Sequence, residues 1–369
     1  MKNGNLEILI MEHPPDLKEK ELKFTKGLIK WHQTKNNRTM PWKGEKDPYK
    51  IWLSEIILQQ TRVEQGLRYY HRFIEAFPTI HHLANAHEQQ VFKLWEGLGY
   101  YARCKNLIAT AKYISQKLEG IFPNEYENLL ALKGVGPYTA AAIASFAFQL
   151  PYAVVDGNVF RVLARIFDVE LPMDTAEGKN YFTLLANTLL YKKSPSEYNQ
   201  AIMDFGATIC KPQPECVQCF FKKHCLAYSL HKQLALPVKA KKVALKKRWF
   251  HYIILNYGEK YAISKRTDRD IWQNLFEFLL IEADNNMAEA KLTLQLEKSY
   301  GISKEFITLF TLLNQTTQRL SHQLIYFSFY VIQLKKKPTI DSFIWVNKKE
   351  LAKFAFPQTL SQLVEKGLS

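Results

Sequence analysis

Apolar residues recur at intervals of three and four along most of the first 228 residues of the chain. The period runs through PYKIWLSEIILQQTRVEQGLRYYHRFIEAF, EQQVFKLWEGLGYYARCKNLIATAKYISQKL, YTAAAIASFAF and KNYFTLLANTLLYKK, and it is the spacing that stacks side chains on one face of an α-helix. Short polar breaks separate these runs and strand-like alternation is scarce, so this part reads as all-α. From Trp249 onward the pattern changes. WFHYIILNYGEKYAISKR holds two β-rich runs around the turn signal Tyr257-Gly258, and IWQNLFEFLLIE and HQLIYFSFYVIQL continue the strand character, which predicts an α+β domain on an antiparallel sheet.

Between the two lies HKQLALPVKAKKVALKKR, residues 231–248, with seven Lys or Arg, no acid and one Pro. Such a stretch buries little and reads as a linker, either laid along a polyanion or simply solvated. A length of 369 residues also exceeds what one compact core usually spans. The expected organisation is a helical domain over 1–230, a linker over 231–248 and a second domain over 249–369.

With 47% hydrophobic and 23% charged residues the chain has the composition of a folded protein. A formal charge of +15 makes nucleic acid the leading partner, ahead of an anionic membrane surface. No apolar run reaches the roughly 18 residues of a membrane span. The opening MKNGNLEILIMEHPPDL has neither a basic start with a long apolar core nor a small-residue cleavage site. The expected setting is the cytoplasm, with no membrane partner.

Four of the five cysteines, Cys210, Cys216, Cys219 and Cys225, fall within sixteen residues, while Cys104 stands alone. Without a secretion signal this crowding argues against disulfides and for a metal centre. The spacing Cys-x5-Cys-x2-Cys-x5-Cys suits zinc or a [4Fe–4S] cube and does not choose between them. Lys222 and Lys223, between the last two cysteines, would lie on the loop so closed, within reach of phosphates.

Three further segments carry chemistry. LKGVGPYTAAAIASFAF joins two helical stretches through Gly134-Val135-Gly136, with Pro137 at the first position of the next helix. Open N–H groups at such a helix start bind phosphate, so the segment reads as a helix-hairpin-helix clamp on a DNA backbone, with a plain helix-helix corner as the alternative. Eighteen residues past Tyr138, Asp156 follows the apolar Val154 and Val155 and precedes Gly157. At the head of a helix it is either a simple cap or a functional carboxylate, and in both cases its anion is favoured and its pKa is expected to fall. Asp47-Pro48 starts another helix, on which Ile51, Trp52 and Leu58 share a face with Glu55. Burial there disfavours the anion and raises the pKa, leaving an acid able to donate a proton. One carboxylic acid and one carboxylate are what cleavage of an N-glycosidic bond requires, the first for the leaving base and the second for the sugar cation.

SEIILQQTRVE, WEGLGYYAR, LKGVGPYTAAAI, VVDGNVFRV and NQAIMDFGATIC with the three cysteines that follow together resemble the MutY adenine glycosylases of the endonuclease III superfamily. The likeness runs in order from Pro41 to Cys225 and continues more weakly beyond. It implies a mostly α helix-hairpin-helix glycosylase domain with a cysteine cluster loop over 210–225, followed by a smaller α+β Nudix-like domain. It also implies a monomeric base excision repair enzyme, working at a bacterial nucleoid, that flips adenine out of double-stranded DNA opposite 8-oxoguanine or guanine. On the matched positions Glu55 would protonate the imidazole ring of adenine and Asp156 would stabilise or trap the sugar cation, supported by Tyr138 and Asn158. Arg38, Trp42, Leu58 and Gln60 would line the adenine pocket, and Tyr100 would wedge into the duplex. Thr61, Gly134 and Gly136 would meet the DNA, Ser321 and His322 would read 8-oxoguanine, and the four cysteines would hold a [4Fe–4S] cluster. Strand-nicking members carry Lys where this chain has Tyr138, so excision without strand cleavage is expected. Two departures from the family pattern stand out: a first cysteine gap of five rather than six, and Lys43 where Arg is common.

Overall fold

The computed structural model describes residues 15–240 and 244–368. These sort into two compact units, the first within Met1–His82 and Ala109–Lys241, the second within Leu83–Ile108 and Lys242–Ser369. The helices up to Ser229, in chain order, are α1 (Pro15–Lys35), α2 (Pro48–Leu58), α3 (Val63–Ala76), α4 (Ile80–Asn85), α5 (Glu88–Trp95), α6 (Tyr101–Lys117), α7 (Tyr126–Leu130), α8 (Pro137–Phe148), α9 (Gly157–Phe167), α10 (Ala176–Leu189), α11 (Pro195–Thr208) and α12 (Leu226–Ser229).

Two periodic runs that read as continuous are broken. The first breaks after Leu58, where Gln60 takes a left-handed φ of 55°, and the second around Gly97, Gly99 and Tyr100, all with positive φ. The all-α expectation for the chain up to about residue 228 holds for the described residues there. The main core of the first unit joins Leu28 and Trp31 of α1 with Val159, Val162 and Leu163 of α9, Phe182 of α10 and Phe205 of α11. Helix α2 packs on α8 and buries Tyr49 and every residue from Ile51 to Ile57, so it is internal on nearly all sides.

The basic segment after His231 buries more than its charge predicts. Leu236 is 3% exposed, Val238 accepts from Met173 N at 3.1 Å, and Ala240 N donates to Asp174 at 2.9 Å. Apolar residues at alternating positions 234, 236 and 238 lie among the lysines, and the charge count hid them. Residues 241–243 of the expected linker lie outside the described residues, and Lys246–Arg248 open the first strand.

The second unit is built on a seven-stranded sheet ordered β3-β2-β1-β6-β5, with β4 pairing β1 and β7 pairing β2. The strands are β1 (Lys246–Tyr257), β2 (Lys260–Lys265), β3 (Phe276–Glu277), β4 (Leu279–Ala283), β5 (Ile307–Arg319), β6 (Gln323–Leu334) and β7 (Ile344–Asn347). The expectation of an antiparallel sheet is corrected at its centre, where β1 and β6 run parallel from Lys246↔Gln323 to Asn256↔Gln333. Both strands are near-continuous apolar runs, the pattern of strands covered on two faces. Phe250, Tyr252 and Ile254 face one core with Leu360 and Leu363 of α15 (Gln358–Lys366). Ile253 and Leu255 face another with Leu292 and Leu296 of α13 (Glu289–Tyr300). A short α14 (Lys348–Leu351) lies between them in the chain. Strand β5 was not evident in the sequence; it is an edge strand, mostly exposed, and lacks apolar alternation.

The segment from Leu83 to Ile108 is tied into this unit. Gln89 Nε2 and Lys93 Nζ donate to the carbonyls of Lys353 and Phe354 at 3.2 and 3.1 Å, and Phe356 N donates to Glu96 at 3.0 Å. Among the described residues no helix is long and apolar enough to cross a membrane.

Candidate active site

Three helix segments of the first unit bring the carboxylates and Tyr138 together. Asp47 caps α2 by accepting from Tyr49 N at 2.9 Å, which fixes the start of the helix whose third turn carries Glu55. Glu55 is 6% exposed. Burial pushes its pKa up to about 7; the Tyr138 hydroxyl, hydrogen-bonded to it, pulls the other way, and the charge of Asp156 pushes further up. Tyr138 stands in the first turn of α8, and its hydroxyl also approaches Met203 Sδ at 3.7 Å.

Asp156 is the N-cap of α9 and accepts from Asn158 N and Val159 N, both at 2.8 Å, and from Asn158 Nδ2 at 2.7 Å. Its pKa nevertheless moves opposite to expectation. Burial raises it, and the three hydrogen bonds and Arg161 only offset part of that rise. The sequence-based reading weighed the helix end and omitted desolvation. Glu55 and Asp156 are thus both raised, and what distinguishes them is donors: three reach Asp156.

A cleft of about 510 Å³ opens beside Glu55, lined among others by His32, Trp42, Lys43, Ser54, Gln200 and Met203. This is within the ~300–1,000 Å³ of small-molecule pockets. Of the residues expected around an adenine, Trp42 and Glu55 line it, while Arg38, Leu58, Gln60, Tyr138 and Asp156 are not among its walls. Arg38 instead reaches Asp204 of α11 at 2.9 Å, where Lys43 Nζ (3.1 Å), Asn36 Nδ2 (2.8 Å) and Gln200 Nε2 (3.0 Å) converge on the same carboxylate. Asp204 is fully buried and organises the rim. Sequence reasoning quoted Asp204 inside a motif and gave it no role, because its partners on the 36–43 segment are more than 160 residues away.

Arg161 and Gly206 were missed in the same way. Arg161 donates to Asn158 Oδ1 (2.7 Å), the Gly206 carbonyl (2.8 Å) and the Cys210 carbonyl (2.7 Å). A Cβ at Gly206 would lie 2.6 Å from Asn158 Cβ; only glycine lets α11 approach the Asp156 turn this closely.

The four cysteines line one small cavity beside Arg165. The buried Arg165 guanidinium donates to Cys210 Sγ (3.5 Å) and to the carbonyls of Lys211, Pro212 and Leu236, and has no carboxylate partner among the described residues. Burial pushes the thiols of Cys219 and Cys225 up to about 12 and about 11 and raises Cys216. Four soft sulfur donors next to an uncompensated buried cation fit an anionic thiolate centre. Among the described residues no three His, Cys, Asp or Glu gather as they would around a single metal ion.

At the hairpin, Gly134 has a φ of 77° and Gly136 caps α8 in extended backbone. A Cβ at Gly136 would meet nothing within 4 Å, so the fold itself leaves that space open. Thr61 closes the turn after α2, its N–H donating to the Leu58 carbonyl at 3.1 Å; Gln59 Nε2 reaches Thr139 Oγ1 on α8 at 3.3 Å. In the second unit, the Tyr100 hydroxyl hydrogen-bonds to Ser321 Oγ. Ser321 and the exposed His322 form the tip between β5 and β6, closed by Leu320 N on the Gln323 carbonyl.

Residues 53–177 match the HhH-GPD superfamily of base excision DNA repair proteins, and residues 251–366 match the NUDIX domain. The chain is 33% identical over 350 residues to an adenine DNA glycosylase of Buchnera aphidicola subsp. Baizongia pistaciae, covering 94% of this chain and 97% of that protein. It is 31% identical over 348 residues to an adenine DNA glycosylase of Arabidopsis thaliana, covering 82% and 54%. Among solved structures it is similar to a thermostable thymine-DNA glycosylase, with a TM-score of 0.54 and 28% identity over 58% of this chain and 99% of that one.

Proposed function

Because the chain belongs to the adenine DNA glycosylases of base excision repair, we propose that it removes adenine paired with 8-oxoguanine or guanine, by acid-assisted hydrolysis and without cutting the strand. The observation that carries this reading is Glu55, buried on the wall of a base-sized cleft with its pKa pushed up to about 7. Near neutral pH a large fraction of Glu55 holds a proton to give. It transfers that proton to the imidazole ring of the flipped adenine, the bond from C1′ to N9 breaks, and its electron pair leaves with the base. Asp156, held by three donors that favour its anion, faces the positive sugar; water then adds at C1′ and releases a proton, giving free adenine and an abasic site. Tyr138 holds the Glu55 carboxyl by its hydrogen bond and supplies no amine for a Schiff base, which supports excision alone.

Lys43, fixed by Asp204, and Trp42 would surround the base, with Arg38 held on the same Asp204 carboxylate at the rim and Leu58, Gln60 and Thr61 at the turn facing the duplex. Gly134 and Gly136 would hold a phosphate at the start of α8. Tyr100, Ser321 and His322 would read the opposing 8-oxoguanine; the hydroxyl pair of Tyr100 and Ser321 supports this. Cys210, Cys216, Cys219 and Cys225 would hold a [4Fe–4S] cluster with Arg165 as its buried counter-charge. When bound, the cluster ties the 210–225 loop together through four thiolate bonds. The enzyme would act as a monomer at the nucleoid.

The test is a set of duplexes with adenine opposite 8-oxoguanine, guanine or thymine, incubated with the protein and then treated with alkali. The expected result is alkali-dependent cleavage at adenine opposite 8-oxoguanine and guanine. Cleavage without alkali, or a borohydride-trapped adduct through a lysine, would overturn the single-activity reading.

A further inference from the structure

His32 is a polar wall of the cleft that the reaction above does not use. Its protonation state is fixed by a chain of hydrogen bonds that begins at Asp204. That buried carboxylate accepts from Asn36 Nδ2 at 2.8 Å, while Asn36 Oδ1 accepts from Arg38 N at 3.1 Å. An anion at one end and an N–H at the other leave the Asn36 amide a single orientation. The same Nδ2 donates its second hydrogen to His32 Nδ1 at 2.8 Å. A ring nitrogen that accepts carries no proton, so the imidazole is neutral with its proton on Nε2. Burial and the neighbouring Lys43 ammonium push the His32 pKa down, in the same sense. Nε2–H has no partner among the described residues.

We propose that His32 is a specificity-determining residue whose Nε2–H donates to a nitrogen of the six-membered ring, N1 or N3, of the purine in the cleft, with Asn36 and Asp204 as its positioning residues. The proposal rests on the adenine excision reading. Glu55 engages the five-membered ring, so the remaining acceptors of adenine are the six-membered-ring nitrogens. A neutral donor suits them, since it neither repels the proton delivered by Glu55 nor competes for it. At N1 the contact would also discriminate, because adenine accepts there whereas guanine carries a hydrogen. Sites built to hydrogen-bond a substrate reject analogues that leave the buried partner unpaired.

The experiment compares single-turnover excision by the full-length wild type, His32→Phe and His32→Gln on duplexes carrying adenine, 1-deazaadenine or 3-deazaadenine opposite the same base. The Gln amide places an N–H near the position of Nε2. His32→Phe is expected to slow adenine excision about tenfold, the loss of one hydrogen bond, and His32→Gln to restore most of it. Wild type should lose the same factor on one of the two deaza substrates, with no further loss from His32→Phe there. Nitrogen NMR shifts of the imidazole should report the proton on Nε2 in wild type and a mixture of tautomers in Asn36→Ala. Equal wild-type and His32→Phe rates on adenine, or an equal loss on all three substrates, would overturn the proposal. Failure of wild type to excise adenine at all would instead refute the reading on which it rests.

Discussion

Replacing Glu55 by Gln separates the catalytic value of this residue from its effect on the fold. The carboxyl moves from 4.5 to about 7 on folding, chiefly by desolvation. At about 1.4 kcal/mol per pH unit, the folded state disfavours the Glu55 anion by about 3 kcal/mol. The folded state holds its proton more tightly than the unfolded chain. The contribution is therefore fully present below pH 4.5, is lost as pH rises towards 7, and has gone at pH 8. Glutamine has no charge to desolvate, so the stability of Glu55→Gln relative to wild type should improve by about 3 kcal/mol between pH 4.5 and pH 8. For a unit of this size that is a relative rise of about 6 °C or more in unfolding midpoint. Excision should fall about 10²–10⁴-fold, as when a general acid is removed, and wild-type excision should drop about tenfold per unit above pH 7. Thermal unfolding at the two pH values and single-turnover excision read both effects. A variant with near-wild-type excision, or one whose relative stability does not change with pH, would refute the assignment of a buried, protonated Glu55.

Four other outcomes follow from the geometry. Gly134→Ala should destabilise by about 1–2 kcal/mol, the strain of a left-handed alanine. Gly136→Ala should leave thermal stability unchanged and weaken DNA binding, since its Cβ would occupy space the fold leaves open; unaltered affinity in a titration would place the phosphate elsewhere. Gly206→Ala should cost about 1–3 kcal/mol through overpacking on Asn158 and slow excision at least tenfold, measured by unfolding and single-turnover rates. Cys219→Ser should lower iron and sulfide per chain and bleach the brown colour of a clustered protein, and full iron content would argue against Cys219 as a ligand.

Periodicity made most of the first unit legible, and the burial of Glu55 followed from its neighbours on α2, although that helix turned out to be internal on nearly every side. Caps were equally readable, because Asp47, Gly136 with Pro137, and Asp156 act within a few residues of themselves. The direction of the Asp156 shift was not, since desolvation depends on what the rest of the chain lays over it. The contacts of Asp204 and Arg161 were equally hidden, because they link distant segments and have no local signature. In the second unit the apolar runs marked β1 and β6, but strand direction is set by the crossover connecting them. The parallel pairing at the centre therefore could not be read from adjacent hairpins.

The chain enters the second unit at Leu83, leaves it after Ile108 and among the described residues returns only from Ala244. During synthesis, Val91, Trp95 and Leu98, all buried in the finished protein, leave the ribosome more than a hundred residues before the sheet of their own unit exists. At about 5–20 residues per second, the 148 residues from Leu98 to Lys246 alone take about 7–30 s. The hydrogen bonds of Gln89 and Lys93 to the Lys353 and Phe354 carbonyls therefore form long after the insert itself has been made.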